Sequence, residues 1–310
     1  MKKSIPNLAI VGIGRWGRNL IKEFKNLEKI GLCRLVLCVS SGNHENLDQL
    51  KKNHPTVVHT TDFKQALSDP TIDAIVIATP PRTHFQLASQ ALKAGKHIFV
   101  EKPPAENLAT TKRLINLAKQ AKRILFIDNI YIYHPLINKV KKLIKGRNLT
   151  SVEFVWLKEG TFDTDIISNL VYHDFIIASY LIGEPSSMRL EEAVDGVTIC
   201  DRIKFTMNIE GIEKCLVSIN RISPIKHKQI TFKSAKRTWV WTDKTLYQVK
   251  PNEGLQEVAR LTAEPLFLSC KEFIKCLTKE TSNLESNMLA LVAMRLSESL
   301  KAKLNKSIAA

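Results

Sequence analysis

A short apolar strand that runs directly into a glycine turn and then into a helix constrains this chain more than any other feature. The apolar run is Leu8-Ala9-Ile10-Val11, and Gly12-Ile13-Gly14-Arg15-Trp16-Gly17 follows it without a break. The next residues carry Leu20, Ile21 and Phe24 at helical spacing. A G-x-G-x-x-G motif between a strand and a helix predicts a dinucleotide-binding turn.

Each glycine of this motif has a separate physical task. Gly12 permits the tight turn, Gly14 lets the backbone approach a pyrophosphate, and Gly17 lets helix and strand pack closely. The start of the helix then offers free N–H groups and a partial positive charge to phosphate. The alternative interpretation is an ordinary glycine-rich turn.

The same alternation of strand and helix continues to about residue 127. Further apolar strands are predicted at 35–39, 57–58, 74–78, 97–100 and 124–127, and helices at 43–52, 86–94 and 107–122. Continuous apolar strands alternating with helices indicate a parallel sheet covered on both faces. We therefore expect an α/β N-terminal Rossmann domain with a doubly wound parallel sheet.

The second half of the chain changes character. Residues 201–209 alternate strictly between apolar and polar side chains, which is typical of a half-buried antiparallel strand. Further strands are predicted at 215–219, 229–232, 239–242 and 246–249, and helices at about 166–181, 265–278 and 286–303. This pattern predicts an α+β C-terminal domain with a largely antiparallel open sheet, and the chain divides into domains 1–130 and 131–310.

The end of the second predicted strand bears on the choice of cofactor. An NAD site usually has an acidic residue there, which binds the ribose 2′-hydroxyl. Here the strand ends in Val39-Ser40-Ser41, without a carboxylate. Because hydroxyls can accept a 2′-phosphate without repulsion, NADP(H) is favoured and NAD(H) is possible.

Two residues are candidates for proton transfer. Lys102 follows the fifth strand, beside the crevice where open α/β sheets bind ligands, and a lysine there can donate a proton to a carbonyl. The alternative is a surface lysine paired with Glu101. His173 is a possible acid or base on the first helix of the second half, and Asn169 lies four residues earlier, which would place both on one helical face. A structural histidine is the alternative there.

Composition narrows the remaining classes of protein to which this chain can belong. No apolar run approaches the roughly 20 residues of a membrane span, so we expect a cytoplasmic protein without a membrane partner. The six cysteines form no C-x-x-C pair, which favours reduced, buried thiols and no metal site. The net charge of +16 raises nucleic-acid binding as a hypothesis, but the lysines are spread along the chain and we expect no such partner.

Three segments resemble signatures of one known family. They are Gly12-Ile13-Gly14-Arg15-Trp16-Gly17-Arg18-Asn19, Thr79-Pro80-Pro81-Arg82-Thr83-His84, and Ala94-Gly95-Lys96-His97-Ile98-Phe99-Val100-Glu101-Lys102-Pro103. The last resembles the "A-G-K-H-V-x-x-E-K-P" signature of the glucose–fructose oxidoreductase / inositol dehydrogenase (Gfo/Idh/MocA) family almost residue for residue. Tyr133-His134-Pro135 and the closing helices are also similar to that family.

The resemblance implies site residues. Lys102 would be the catalytic lysine and His173 the active-site histidine, with Asn169 standing where many members have an aspartate. Asparagine cannot act as a base, so Asn169 would orient the substrate or mark altered chemistry. The cofactor-binding residues would be Gly12, Gly14, Arg15, Trp16, Gly17, Ser40, Ser41, Thr79, Pro80, His84, Glu101 and Lys102.

The function that the resemblance implies is NAD(P)-dependent hydride transfer to or from a sugar, nucleotide-sugar or cyclitol hydroxyl or ketone. It also implies a homodimer or homotetramer. Two alternatives stay open: a non-catalytic dinucleotide-binding regulator on the same fold, which Asn169 motivates, and a reductase of a non-sugar C=O, C=C or C=N bond.

Overall fold

The computed structural model describes residues 5–40, 42, 44–160, 162–250 and 253–308. By internal contacts the chain forms two compact units. The first contains residues 1–130 and 265–291, and the second contains residues 131–264 and 292–310.

The first unit is built on a six-stranded parallel sheet. Its strands are β1 (Asn7–Val11), β2 (Arg34–Val39), β3 (Val58–Thr60), β4 (Ala74–Ile77), β5 (His97–Val100) and β6 (Leu125–Ile127), in the order β3-β2-β1-β4-β5-β6. The strand order reverses between β1 and β4, and ligands of such sheets bind at this switch point, outside the carboxyl ends of the strands. The doubly wound Rossmann sheet is therefore confirmed.

Helices cover this sheet. They are α1 (Arg15–Lys29), α2 (His44–Asn53), α3 (Phe63–Ser68), α4 (Pro81–Lys93), α5 (Leu108–Gln120) and, from the far end of the chain, α8 (Pro265–Lys279). Helix α8 joins this unit through Phe273, whose ring contacts those of Phe24, Phe99 and Phe126 at centroid distances of 5.4–6.4 Å. All four rings are fully buried.

The second unit is built on an eight-stranded sheet. Its strands are β7 (Leu149–Leu157), β8 (Ser187–Val194), β9 (Arg202–Asn208), β10 (Lys214–Asn220), β11 (His227–Ser234), β12 (Thr238–Thr242), β13 (Thr245–Lys250) and β14 (Gly254–Arg260), in the order β14-β13-β12-β11-β7-β10-β9-β8. Only β7 and β10 pair in parallel among the described strands of this sheet. The predicted largely antiparallel sheet is thus confirmed.

One face of this sheet is apolar and packs against helices. Phe154, Ile230, Phe232 and Trp241 point to it and are buried. The helical elements of the unit are a 3₁₀ turn at Ile130–Tyr133, α6 (Pro135–Ile144), a π-helical turn at Ile167–Val171, α7 (Tyr172–Leu181) and the end of α9 (Leu284–Ile308). Phe175 of α7 packs on Phe205 of β9 at 5.9 Å.

The elements differ from the predicted ones in a few places. Helix α4 begins at Pro81, five residues before the predicted start, because proline is well suited to the first helical position. The elements α3, α6, β7, β8 and β14 have no predicted counterpart. Residues 265–291 cluster with the first unit, so the division into domains 1–130 and 131–310 stays a prediction.

The cysteine prediction concerns burial and pairing. All six cysteines are buried and free of disulfides. Burial raises the pKa of Cys33 and Cys38 to about 12, which keeps both thiols protonated and unreactive at neutral pH. The prediction that the thiols are buried is confirmed.

Candidate active site

The glycine turn between β1 and α1 leaves no room for side chains at two positions and open space at the third. Gly12 has φ +92°, and a Cβ there would lie 2.7 Å from the carbonyl carbon of Ala78. A Cβ on Gly17 would lie 1.9 Å from the Gly12 carbonyl oxygen. A Cβ on Gly14 would meet no atom within 4 Å.

That open space coincides with an uncapped helix start. Gly14 is the N-cap of α1, it supplies no capping side chain, and the first turn contains no acidic residue. The first N–H groups of a helix need an acceptor, and an anion is well suited to that role. The residues present therefore fit the pyrophosphate of a dinucleotide, with Arg15 exposed in the same turn.

The predicted site for the 2′-phosphate is described only in part. Ser40 follows β2 and is buried, and its N–H donates to the carbonyl of Thr60 over 3.0 Å. Ser41 lies outside the described residues. Ser40 therefore stands at the carboxyl end of the sheet, where the prediction requires it.

His84 ties together the loops that follow β4 and β5. Its Nδ1 lies 2.8 Å from the carbonyl oxygen of Pro103, and its Nε2 lies 2.7 Å from that of Thr79. Burial lowers the pKa of His84, the two carbonyls oppose this, and the charge of Lys102 adds to it. The histidine thus holds the segment that carries Lys102 against the Thr79-Pro80 turn.

Glu101 is held from two sides inside the first unit. The indole N–H of Trp16, in the first turn of α1, donates to its Oε1. Burial, followed by the neighbouring Asp128 carboxylate, raises the pKa of Glu101 well above its usual range. Burial also raises the pKa of Asp128 to about 6, while a hydrogen bond from the Ser269 hydroxyl opposes this shift.

These contacts gather the described cofactor candidates at one edge of the first unit. The glycine turn touches the Ala78–Thr79 segment, Trp16 reaches Glu101, and His84 joins Thr79 to the segment after β5. Lys102 is half-buried in that segment, and its bond to Pro103 is cis. A lysine at the carboxyl edge of the sheet can donate a proton or a hydrogen bond to a ligand there.

His173 and Asn169 lie in the second unit. The sequence argument assumed an α-helix through both residues, but the helix around Asn169 is π-helical. Asn169 lies in the π-helical turn, where the N–H of Tyr172 donates to the carbonyl of Ile167, five residues earlier. A π-helical turn still brings residues four apart close to one face, so the shared face of Asn169 and His173 stays a prediction. Such π turns occur frequently at functional sites. Both side chains are half-buried.

Aromatic rings surround His173. Its ring centroid lies 5.0 Å from that of Tyr131 and 6.1 Å from that of Trp156. The next residue, Asp174, is buried, and burial raises its pKa to about 7 while the positive charge of Lys228 lowers it. The Asp174 carboxyl group is thus about half protonated, and to that extent neutral, near pH 7.

Sequence reasoning missed Lys228 and Asp128. The signal for Lys228 was present, because it is in phase with Ile230 and Phe232 on the buried face of β11. The signal for Asp128 was its place directly after β6, at the same sheet edge as Lys102. No metal-binding group of three or more His, Cys, Asp or Glu occurs among the residues the structure describes.

The order of the first sheet and the glycine turn together define an NAD-binding Rossmann protein. Residues 6–129 match the profile of the Gfo/Idh/MocA family, described as "Oxidoreductase family, NAD-binding Rossmann fold". Residues 6–129 thus form an NAD-binding domain of this oxidoreductase family, in agreement with the predicted family.

Relatives and solved structures extend the likeness. The chain is 25% identical to myo-inositol 2-dehydrogenase of Thermotoga maritima over 210 residues, which is 63% of this chain and 59% of that protein. It is 24% identical to mouse biliverdin reductase A over 87% of this chain and 92% of that one. Levoglucosan dehydrogenase in complex with NADH has the same fold, with a TM-score of 0.84, 17% identity and 97% of each chain covered.

For several of the relatives, the sequence match includes only about half of their length. Besides the inositol dehydrogenase, three further curated oxidoreductases are matched over only 39–53% of their length. At 17% sequence identity, the likeness to the levoglucosan dehydrogenase structure shows a shared fold and nothing further. In the part of the chain that is described, no helix is long and apolar enough to cross a membrane.

Proposed function

We propose that this protein is an NAD(P)-dependent oxidoreductase that transfers hydride to or from the hydroxyl or ketone of a sugar, nucleotide-sugar or cyclitol. The observation that carries the proposal is the sheet edge of the first unit. There helix α1 begins at Gly14 without a capping side chain and beside open space. Lys102 lies at the same edge, and the contacts of His84 and Glu101 hold it in place. The curated relative named as acting on an inositol supports the substrate class.

Each residue has one role in the proposed reaction. The nicotinamide ring supplies the acceptor or donor of hydride. The Lys102 ammonium hydrogen-bonds the substrate oxygen and moves its proton, which stabilises the charge that develops on that oxygen. His173 exchanges a proton as the second acid or base, and Asn169 orients a substrate hydroxyl through its amide.

We propose NADP(H) as the preferred cofactor. Strand β2 ends at Val39 and Ser40 follows it, so no carboxylate at these positions would repel a 2′-phosphate. The proposal also includes Ser41, Thr79 and Pro80 as cofactor contacts and a homodimer or homotetramer as the assembly. Light scattering of the purified protein measures that assembly directly.

A second candidate is a reductase of a non-sugar bond. The likeness to biliverdin reductase A extends over most of both chains and favours this candidate. A dinucleotide-binding regulator is the third candidate, because the family resemblance puts Asn169 where many members have an aspartate. Turnover of a sugar or cyclitol argues against both, and dinucleotide binding without turnover of any substrate supports the regulator.

The test of the catalytic assignment is Lys102→Met. We expect the variant to bind reduced dinucleotide like the wild type and to lose turnover by about 10²–10⁴-fold, because the proton donor is gone while the glycine turn is intact. Turnover is followed by nicotinamide absorbance with cyclitols, free sugars and nucleotide-sugars.

Lys93→Met is the matched control, since Lys93 is exposed at the end of α4. It should keep full turnover. Turnover of Lys102→Met at the wild-type rate would remove Lys102 from the mechanism.

A further inference from the structure

A buried lysine in the second unit stands inside a cage of aromatic rings. The Nζ of Lys228 lies 3.5 Å from the ring centroid of Trp156, 3.8 Å from that of Tyr131 and 5.5 Å from that of Trp241. It also donates a hydrogen bond to the Tyr131 hydroxyl. Ring faces attract cations, so the cage stabilises an ammonium that is only 8% exposed.

The register of the sheet builds this cage. Lys228 of β11 is the direct partner of Trp156 on β7, and Ile230 is the partner of Trp241 on β12. Side chains two residues apart on a strand share a face, so Lys228 points to the same apolar face as Ile230. Burying a lysine charge on that face is costly unless neighbouring groups stabilise it.

The cage and His173 share two rings. Tyr131 and Trp156, which contact the ammonium, also contact the His173 imidazole, with centroid distances of 5.0 and 6.1 Å. The two contacts of Tyr131 place the ammonium within about 9 Å of the imidazole centroid. Charges at that separation interact appreciably where water is excluded.

Four other titratable groups face this cluster, and they are Asp174, Asp243, His134 and Tyr172. Asp174 is buried with a pKa raised to about 7, so it is largely protonated in mildly acidic solution. Asp243 acts on Tyr131 and accepts, through its backbone carbonyl, a hydrogen bond from His134. Burial lowers the pKa of His134 to about 4 despite Asp243, and the charge of Lys228 contributes to that shift. Tyr172 also packs against His173, at 6.3 Å, and is neutral at physiological pH.

We propose that Lys228 is a positioning residue for His173. It fixes the Tyr131 and Trp156 rings that hold the imidazole, and its charge disfavours the imidazolium, so that His173 is neutral and able to accept a proton near pH 7. A role of this arrangement in catalysis rests on the proposed function, whereas its effect on the protonation of the His173 imidazole does not.

The test is the titration of His173 by NMR in the cofactor-free protein. The eight histidines give separate ring signals, and the signal lost in His173→Gln identifies the residue. In the wild type we expect a midpoint below the usual value of about 6.5. In Lys228→Met the midpoint should rise by about one pH unit or more, since a nearby cation is removed.

Two further variants separate charge from structure. Lys228→Arg keeps the cation and should restore the wild-type midpoint, whereas a purely structural role predicts no such rescue. Lys233→Met changes an exposed lysine of the same strand and should leave the midpoint unchanged. A wild-type midpoint at or above 6.5, or the same midpoint in Lys228→Met, overturns the proposal, and the first result is decisive even if the variant does not fold.

The outcomes also distinguish this inference from the proposed function. A shifted midpoint in a protein that turns over no substrate leaves the inference standing and contradicts the enzyme. An unshifted midpoint in an active enzyme contradicts the inference alone. In an active enzyme, Lys228→Met should move the acidic limb of the kcat/KM profile upward by the same amount as the NMR midpoint.

Discussion

Two buried carboxyl groups, Glu101 and Asp128, share a site next to Lys102 in the first unit. Burial raises the pKa of both, and Asp128 raises the pKa of Glu101 further, whereas a hydrogen bond with Glu101 lowers the pKa of Asp128. Two such groups in one low-dielectric site retain a proton between them near neutral pH. Lys102, whose charge lowers both pKa values, faces a pair with one negative charge rather than two.

This pair predicts how stability depends on pH. The folded pKa of Asp128 is raised to about 6, against about 3.9 in the unfolded chain. Protonated Asp128 therefore contributes its full stabilisation at pH values below the pKa of the unfolded chain. This contribution is lost as the pH rises through the pKa of the folded protein. Asp128→Asn cannot ionise, so its free energy of unfolding relative to the wild type should increase between pH 4 and pH 7, by about 2–3 kcal/mol.

Urea unfolding of both proteins at the two pH values measures this difference. Asparagine still accepts the hydrogen bond from Ser269, so the comparison keeps that bond and removes the Asp128 charge together with its effect on Glu101. A difference that does not change with pH would show that Asp128 is ionised without cost in the folded protein.

At this scale the sequence showed the residues but not their surroundings. Lys102 could be assigned because it follows a strand and belongs to a recognised signature. The aromatic cage of Lys228 could not, because it depends on the pairing of β11 with β7 and β12, which no local pattern specifies. The proton shared by Glu101 and Asp128 likewise requires two strand ends to be neighbours.

At the scale of elements, the β1–α1 turn makes opposite demands on two of its glycines. Gly17→Ala should lower the free energy of unfolding by about 2–4 kcal/mol, because its Cβ would overlap the Gly12 carbonyl and force strand and helix apart. Gly14→Ala should change it by less than about 1 kcal/mol, since the Cβ enters open space and the backbone at φ −63° accepts any residue.

Thermal or urea unfolding of the two alanine variants checks this contrast. Equal stability of both variants would contradict the close approach of helix and strand. A strong loss in Gly14→Ala alone would show that the open space lies elsewhere in the turn.

Elements with a strong periodic pattern were predictable and irregular ones were not. The alternation of apolar strands and helices gave all six strands of the first sheet. The π-helical turn around Asn169 was beyond the sequence, because one extra residue in a helical turn leaves no signature in the apolar spacing. Strands β7 and β8 carry mixed patterns, with charged residues such as Glu153 and Arg189 among the apolar ones.

At the scale of the whole chain, helix α8 explains why a linear division of the sequence is insufficient. Its Phe273 completes an aromatic cluster with residues that lie about 150–250 positions earlier, so residues 265–291 belong to the compact unit that contains the Rossmann sheet. Side-chain contacts over such separations cannot be read from periodicity.

The net charge of +16 also acts at this scale. A basic field attracts an anionic dinucleotide, and salt screens that attraction. We expect the affinity for NADPH to fall by about threefold or more between low and physiological ionic strength, and that for NADH to fall less, because NADPH carries an additional phosphate. Fluorescence titrations at several NaCl concentrations measure both slopes, and equal slopes would contradict a role for the 2′-phosphate.

The most direct test of the dinucleotide site is the binding of NADPH and NADH to the wild type and to Gly14→Val, measured by reduced-nicotinamide fluorescence. We predict that the wild type binds both, NADPH more tightly, and that Gly14→Val folds normally but binds at least about tenfold more weakly, because its side chain fills the space for the pyrophosphate. Absence of binding in the wild type, or unchanged binding in a folded Gly14→Val, would contradict the assignment of the glycine turn as the cofactor site.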